Sequence, residues 1–110
     1  MKKITVLSLL AILSACSAKM LAPTQADADR GAAKFPGVTL AQLTDGKKLY
    51  EENCGNCHEL IDPRKESEKE WRTMVPLMSD KVNKKAGSEV LDAKEQDLIL
   101  QYVLVMHESK

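Results

Sequence analysis

The apolar positions of this chain change their spacing several times, and each change marks an element. Behind Met1-Lys2-Lys3 runs Ile4 to Leu13, almost unbroken in apolar residues but too short to cross a bilayer as a resident helix. A basic start followed by such a run has the form of a signal peptide. From Ser17 to about Gly37 no period of 2 or 3.6 is sustained. The stretch is rich in Ala, Asp, Pro and Lys, and Pro23, Pro36 and Gly37 punctuate it. It reads as a tether with room for a short helix.

From Thr39 a helical period begins, with Leu40, Leu43, Leu49 and Tyr50 compatible with one side of a helix running towards Asn53. Gly46 lies inside it, where glycine costs about 1 kcal/mol relative to alanine. It therefore breaks the helix or serves a close contact, and a start at Thr44 or Asp45 is an alternative. Asp62-Pro63 ends local helix, and Ser67-Glu68-Lys69-Glu70 has the form of a capping box opening the next one. Trp71, Val75 and Met78 then share one face. Pro76 predicts a kink or a fresh turn, and the polar stretch from Asp80 to Ser88 a loop or frayed end. A second capping box, Asp92-Ala93-Lys94-Glu95, opens the clearest helix, with Ile99, Tyr102, Val103 and Met106 at helical spacing. Leu98, Leu100, Leu104 and Val105 widen its apolar surface beyond one stripe, which points to burial between a helix and a flat ligand. No strand, repeat or hairpin signal is present, so the expected fold is all-α.

Size changes the picture. At 110 residues the chain holds one small domain, and the rings available to its core are Phe35, Tyr50, Trp71 and Tyr102. Domains this small and this poor in rings usually need a staple, a metal or a cofactor. The formal charge is zero, and no basic face interleaved with aromatics is present, which argues against a nucleic-acid partner.

The three cysteines carry the chemistry. Leu13-Ser14-Ala15-Cys16 resembles the lipobox of bacterial lipoproteins, which implies cleavage before Cys16 and lipid on that residue. Lipidation also explains the odd cysteine in an exported chain. Ser17, in place of an aspartate, favours the outer membrane under the sorting rule of enteric bacteria. Cys54-Gly55-Asn56-Cys57-His58 matches the C-x-x-C-H haem-attachment motif. Two thiols three positions apart can reach two vinyl groups on one edge of the macrocycle, and the adjacent imidazole is then set beneath the iron. A thioredoxin-type pair would need a βαβ context that is missing, and a zinc site would need two further ligands where His107 is the only other histidine. A disulfide between Cys54 and Cys57 would close a small, strained loop.

From about Leu43 to His107 the chain resembles class I cytochrome c domains. The likeness is carried by Gly46, Tyr50, the Cys54 to His58 motif, Trp71-x-x-x-Val75-x-x-Met78, and the terminal helix with Ile99 and Tyr102. It implies a small fold of three to four helices around one covalently attached haem c, bonded to Cys54 and Cys57, with His58 on the iron. It also implies that the first and last helices cross where Gly46 and Tyr50 meet Tyr102 or its neighbours, and that a carbonyl near Pro63 accepts from the His58 ring. Met78 is the expected distal ligand. Met74, Met106 and His107 are rivals, His107 being expected to be solvated, and an open position is a further alternative. The run from Arg64 to Glu70 reads as a solvated face.

The organisation expected is therefore a signal peptide over 1–15, a lipidated cysteine and flexible tether over 16–37, and a monohaem domain over 38–110. The function implied is outer-sphere electron transfer on the periplasmic side, by a non-enzymatic carrier that is anchored through Cys16 and takes no small-molecule substrate. Redox proteins would be its transient donor and acceptor, and a tether of about twenty residues would let it commute across roughly 25 Å. A five-coordinate haem sensor or ligand binder, or an accessory haem subunit of a respiratory or dehydrogenase complex, are the alternatives.

Overall fold

The computed structural model describes residues 20–55 and 59–109, and among these every regular element is helical. Four α-helices follow in order: α1 (Gln25–Gly31), α2 (Leu40–Cys54), α3 (Glu68–Ala86) and α4 (Ala93–His107), with a single 3₁₀ turn at Pro63–Lys65 between α2 and α3. The signal peptide and Cys16 lie outside the described residues, as do Cys57 and His58.

Helix α2 begins at a reciprocal cap. The Thr39 hydroxyl accepts from the Gln42 N–H at 3.1 Å, and the Gln42 side-chain oxygen accepts from the Thr39 N–H at 2.9 Å. The helix thus starts at Leu40 and passes Gly46 without a break. The reason lies on α4: a Cβ at position 46 would stand 2.9 Å from both the Leu98 carbonyl carbon and the Tyr102 Cβ. Only a glycine lets the two backbones approach so closely. The crossing implied by the resemblance is present, with Tyr50 and Tyr102 rings 6.0 Å apart one turn further along.

Helix α3 opens with the Ser67 hydroxyl accepting from the Glu70 N–H at 3.1 Å. It then runs through Pro76, which is exposed, and ends at Gly87, whose φ of 70° is the left-handed stop favoured by glycine. The loop expected over 80–88 is therefore helical as far as Ala86. Its polar residues have specific work. Asp80 pairs with Lys84 at 2.9 Å, and the Asn83 amide bonds both backbone groups of Leu91, at 2.8 and 3.0 Å. Val82 packs against the core between them.

Helix α4 opens with the expected Asp92 and Glu95 box and is the central element, in contact with α1, α2, α3 and the 3₁₀ turn. Ile99 and the whole run Tyr102 to Met106 are buried. Neighbouring helices on several sides cover these positions, while Leu98 and Leu100 of the same broad apolar surface stay half-buried.

A further correction concerns 16–37. Its described part is not a free tether. Helix α1 is held by a box between Thr24 and Asp27, and it buries Ala28 and Gly31 against Val105 and Leu43. Arg30 donates to the Val105 carbonyl of α4 at 2.8 Å, and Lys34 reaches Glu68 at the start of α3 at 2.9 Å. Upstream of α1, Met20 and Leu21 pack on the main core, and the Tyr102 hydroxyl donates to the Leu21 carbonyl at 2.8 Å. The folded unit therefore includes Met20 instead of starting at position 38. The sequence hid this because α1 is only seven residues long and its contacts use small side chains, which leave no hydrophobic stripe.

Candidate functional site

Cys54 is the last residue of α2, half-buried at the edge of the main core. One turn earlier, Tyr50 is 4 % exposed, and its hydroxyl ties the chain that returns after the motif: it donates to the Ile61 carbonyl at 2.7 Å and accepts from the Ile61 N–H at 3.0 Å. Burial pushes the Tyr50 hydroxyl from its ordinary 10.0 up to about 12, against the opposing effect of the Ile61 backbone. The phenol is thus a fixed neutral strut. Next to it stands Trp71 from the first turn of α3, edge-on at 5.9 Å between ring centres and 85° between planes. Its indole N–H donates to the Pro63 carbonyl at 2.9 Å, which satisfies the one polar atom of an otherwise buried ring.

These side chains enclose a cavity of about 110 Å³, lined by Tyr50, Cys54, Glu59, Ile61, Trp71, Met74, Val75 and Met78. Two helices and one return segment build it. Helix α2 brings the thiol, α3 brings a face at i, i+3, i+4 and i+7 from Trp71, and Glu59 and Ile61 form the remaining wall.

The structure sorts the candidates named from sequence. Cys54 and Met78 share the cavity, and so does Met74. Met106 is 1 % exposed within the core and does not line it. His107 is half-buried, not solvated as expected: its Nδ1 stands 3.2 Å from the Pro63 carbonyl, the oxygen that also takes the Trp71 indole. Near Pro63, where a carbonyl was expected to accept from the His58 ring, the Ile61 carbonyl takes the Tyr50 hydroxyl and the Pro63 carbonyl the Trp71 indole, and His58 itself lies outside the described residues. The run from Arg64 to Glu70 is mostly exposed, as expected, though Glu68 is tied to Lys34 and Arg72 at 2.9 Å each. Sequence reasoning did not single out Glu59 and Ile61 as cavity walls. The link from Tyr50 to Ile61 spans eleven positions with no periodic signal.

The donor set suits a haem. The described walls offer one thiol of the C-x-x-C-H motif, thioether sulfurs on the neighbouring helix, and surfaces that are apolar apart from Glu59 and the Tyr50 oxygen, groups of the kind that hold an iron porphyrin, while Cys57 and His58 lie outside the described residues. A porphyrin is much larger than this cavity, so the walls described could enclose only part of one. No family model, no curated protein and no solved structure matches this chain.

Proposed function

We propose that this chain is an exported, lipid-anchored monohaem c-type cytochrome that carries single electrons between redox proteins. Cys54 and Cys57 would hold the haem covalently, His58 and Met78 would be the ligands of its iron, and Cys16 would carry the lipid. The observation that supports this reading most is the sharing of one apolar cavity by Cys54, the first thiol of the C-x-x-C-H motif, and Met78, from a different helix.

One-electron exchange between ferric and ferrous iron is the chemistry the haem supplies when bound, and a histidine and methionine pair favours the ferrous form. The chain supplies the rest. Cys54 and Cys57 fix the group covalently. Trp71, Val75 and Ile61 exclude water from its surroundings, which lowers the solvent rearrangement that accompanies a change of charge. Tyr50 and Trp71 are each tied to backbone carbonyls, so the walls keep their shape in both redox states. No acid, base or nucleophile is needed. Redox partners meet the domain through small transient contacts.

Expression in a host competent for haem attachment tests the proposal. Denatured, acid-washed protein is expected to stay coloured, with both motif thiols consumed in its mass. Met78→Leu is expected to remove the sulfur-to-iron charge-transfer band of the oxidised protein, and Met74→Leu to leave it. Colourless protein with two intact sulfhydryls overturns the haem, and a band unchanged in Met78→Leu overturns Met78.

A further inference from the structure

The folded unit begins much nearer to Cys16 than the composition of 16–37 implies. Met20 and Leu21 pack against the cluster that contains Tyr50, Trp71 and Val75, and the Leu21 carbonyl takes the Tyr102 hydroxyl at 2.8 Å. Only Ser17, Ala18 and Lys19 separate Cys16 from Met20. Whatever their conformation, the span from residue 16 to residue 20 cannot exceed about 14 Å at full extension.

The place where the chain joins the fold is also close to the cavity. Leu21 is bonded to Tyr102, the Tyr102 ring lies 6.0 Å from the Tyr50 ring, and Tyr50 is a cavity wall. Two aromatic rings thus separate the start of the fold from the candidate haem site. A twenty-residue tether would have put roughly 25 Å of mean reach between them and the bilayer.

Resting on the lipidated cytochrome reading above, we propose that the short N-terminal link holds the haem site against the membrane surface, and that the redox partner is a membrane-embedded protein exchanging electrons at that surface. A domain so held does not range outward to soluble carriers. A single electron passes from the ferrous iron of one partner to the ferric iron or other oxidised centre of the other, with no bond made or broken.

Lipidated, haem-loaded protein in vesicles that contain a headgroup-labelled fluorescent lipid tests the position, because haem quenches nearby fluorophores. The comparison is a variant with about twelve Gly and Ser residues inserted between Lys19 and Met20, an insert that by itself spans roughly 19 Å on root-mean-square average and leaves the core untouched. The native chain is expected to quench strongly and the insertion variant to lose most of that quenching. A headgroup-ferrocenium lipid, standing in for a membrane-confined partner and reduced to ferrocene by the one electron it accepts, is expected to oxidise the ferrous native protein faster than the variant, while soluble ferricyanide oxidises both alike. Equal quenching, or equal rates with the ferrocenium lipid, overturns the proposal. Failure of coloured protein to float with vesicles removes the lipid on Cys16, and colourless protein removes the haem, so neither is confused with a link that is merely longer in effect.

Discussion

Gly46 of α2 lies directly against the Leu98 backbone of α4, with the Tyr102 Cβ beside it. A methyl group there would need to occupy space already filled by main chain, which cannot move aside as a flexible side chain would. Gly46→Ala is expected to destabilise the domain by about 1–3 kcal/mol through overpacking, even though alanine gains about 1 kcal/mol of helix propensity. A urea titration should show a lower midpoint at an unchanged slope. Gly87→Ala provides the contrast, since nothing lies within 4 Å of its Cβ position and only its φ of 70° is strained. Its cost should stay near 1–2 kcal/mol.

Tyr50 couples the end of α2 to Ile61 through both a donated and an accepted bond. Tyr50→Phe keeps the ring in the cavity wall but leaves a backbone N–H and C=O without that partner, at an expected cost of about 2–3 kcal/mol. Alkaline pH gives an independent check. Burial raises the Tyr50 pKa from 10.0 in the unfolded chain to about 12 in the fold, so the neutral phenol contributes stability fully below pH 10. That contribution is lost as pH rises through about 12. Urea midpoints measured from pH 9 to 12 should fall less steeply in Tyr50→Phe than in the wild type, and parallel slopes would contradict the assignment.

The parts of this architecture that could be read in advance are those with a repeated local signal. Trp71, Val75 and Met78 were placed on one face by their spacing, and all three turn out to line one cavity. The cap at Asp92 and Glu95 was visible because two polar residues three apart precede an apolar run. Gly46 became intelligible through the resemblance, which supplied the partner helix that spacing alone could not. What escaped were features made by distant residues. The bond from Arg30 to Val105 crosses 75 positions and that from Tyr102 to Leu21 crosses 81, so α1 looked like linker. The polar run after Pro76 hid a helix because Asn83 serves a distant backbone, that of Leu91, rather than a stripe.

Asp27 shows how firmly α1 is held. Burial alone would raise its pKa, but the Thr24 N–H and hydroxyl and the Arg30 guanidinium outweigh that and hold it below its ordinary 3.8. A depressed carboxylate contributes stability above its unfolded pKa and loses it as pH falls through the folded value. Asp27→Asn should therefore be less stable than wild type at neutral pH, by about 1 kcal/mol. The gap should close below pH 3.8, where the wild-type carboxylate also takes up its proton. Urea midpoints at pH 7 and in the acid range check this, and a gap that persists undiminished in acid would show that charge on Asp27 is not what matters.

Removal of residues 20–37 separates the two views of the N-terminal region most sharply. If that stretch were a tether, its loss would leave the unfolding midpoint where it was. In the structure, its removal uncovers Leu43 and Val105, now 0 and 2 % exposed, strips Tyr102 of its Leu21 partner and takes Arg30 away from the Val105 carbonyl. Two large side chains at about 1.5–3 kcal/mol each, with two lost hydrogen bonds at about 1 kcal/mol each, amount to roughly 5–8 kcal/mol. That loss is comparable to the entire stability of a small domain, about 5–15 kcal/mol. A chain starting at Val38 should therefore unfold at a much lower urea concentration or fail to accumulate.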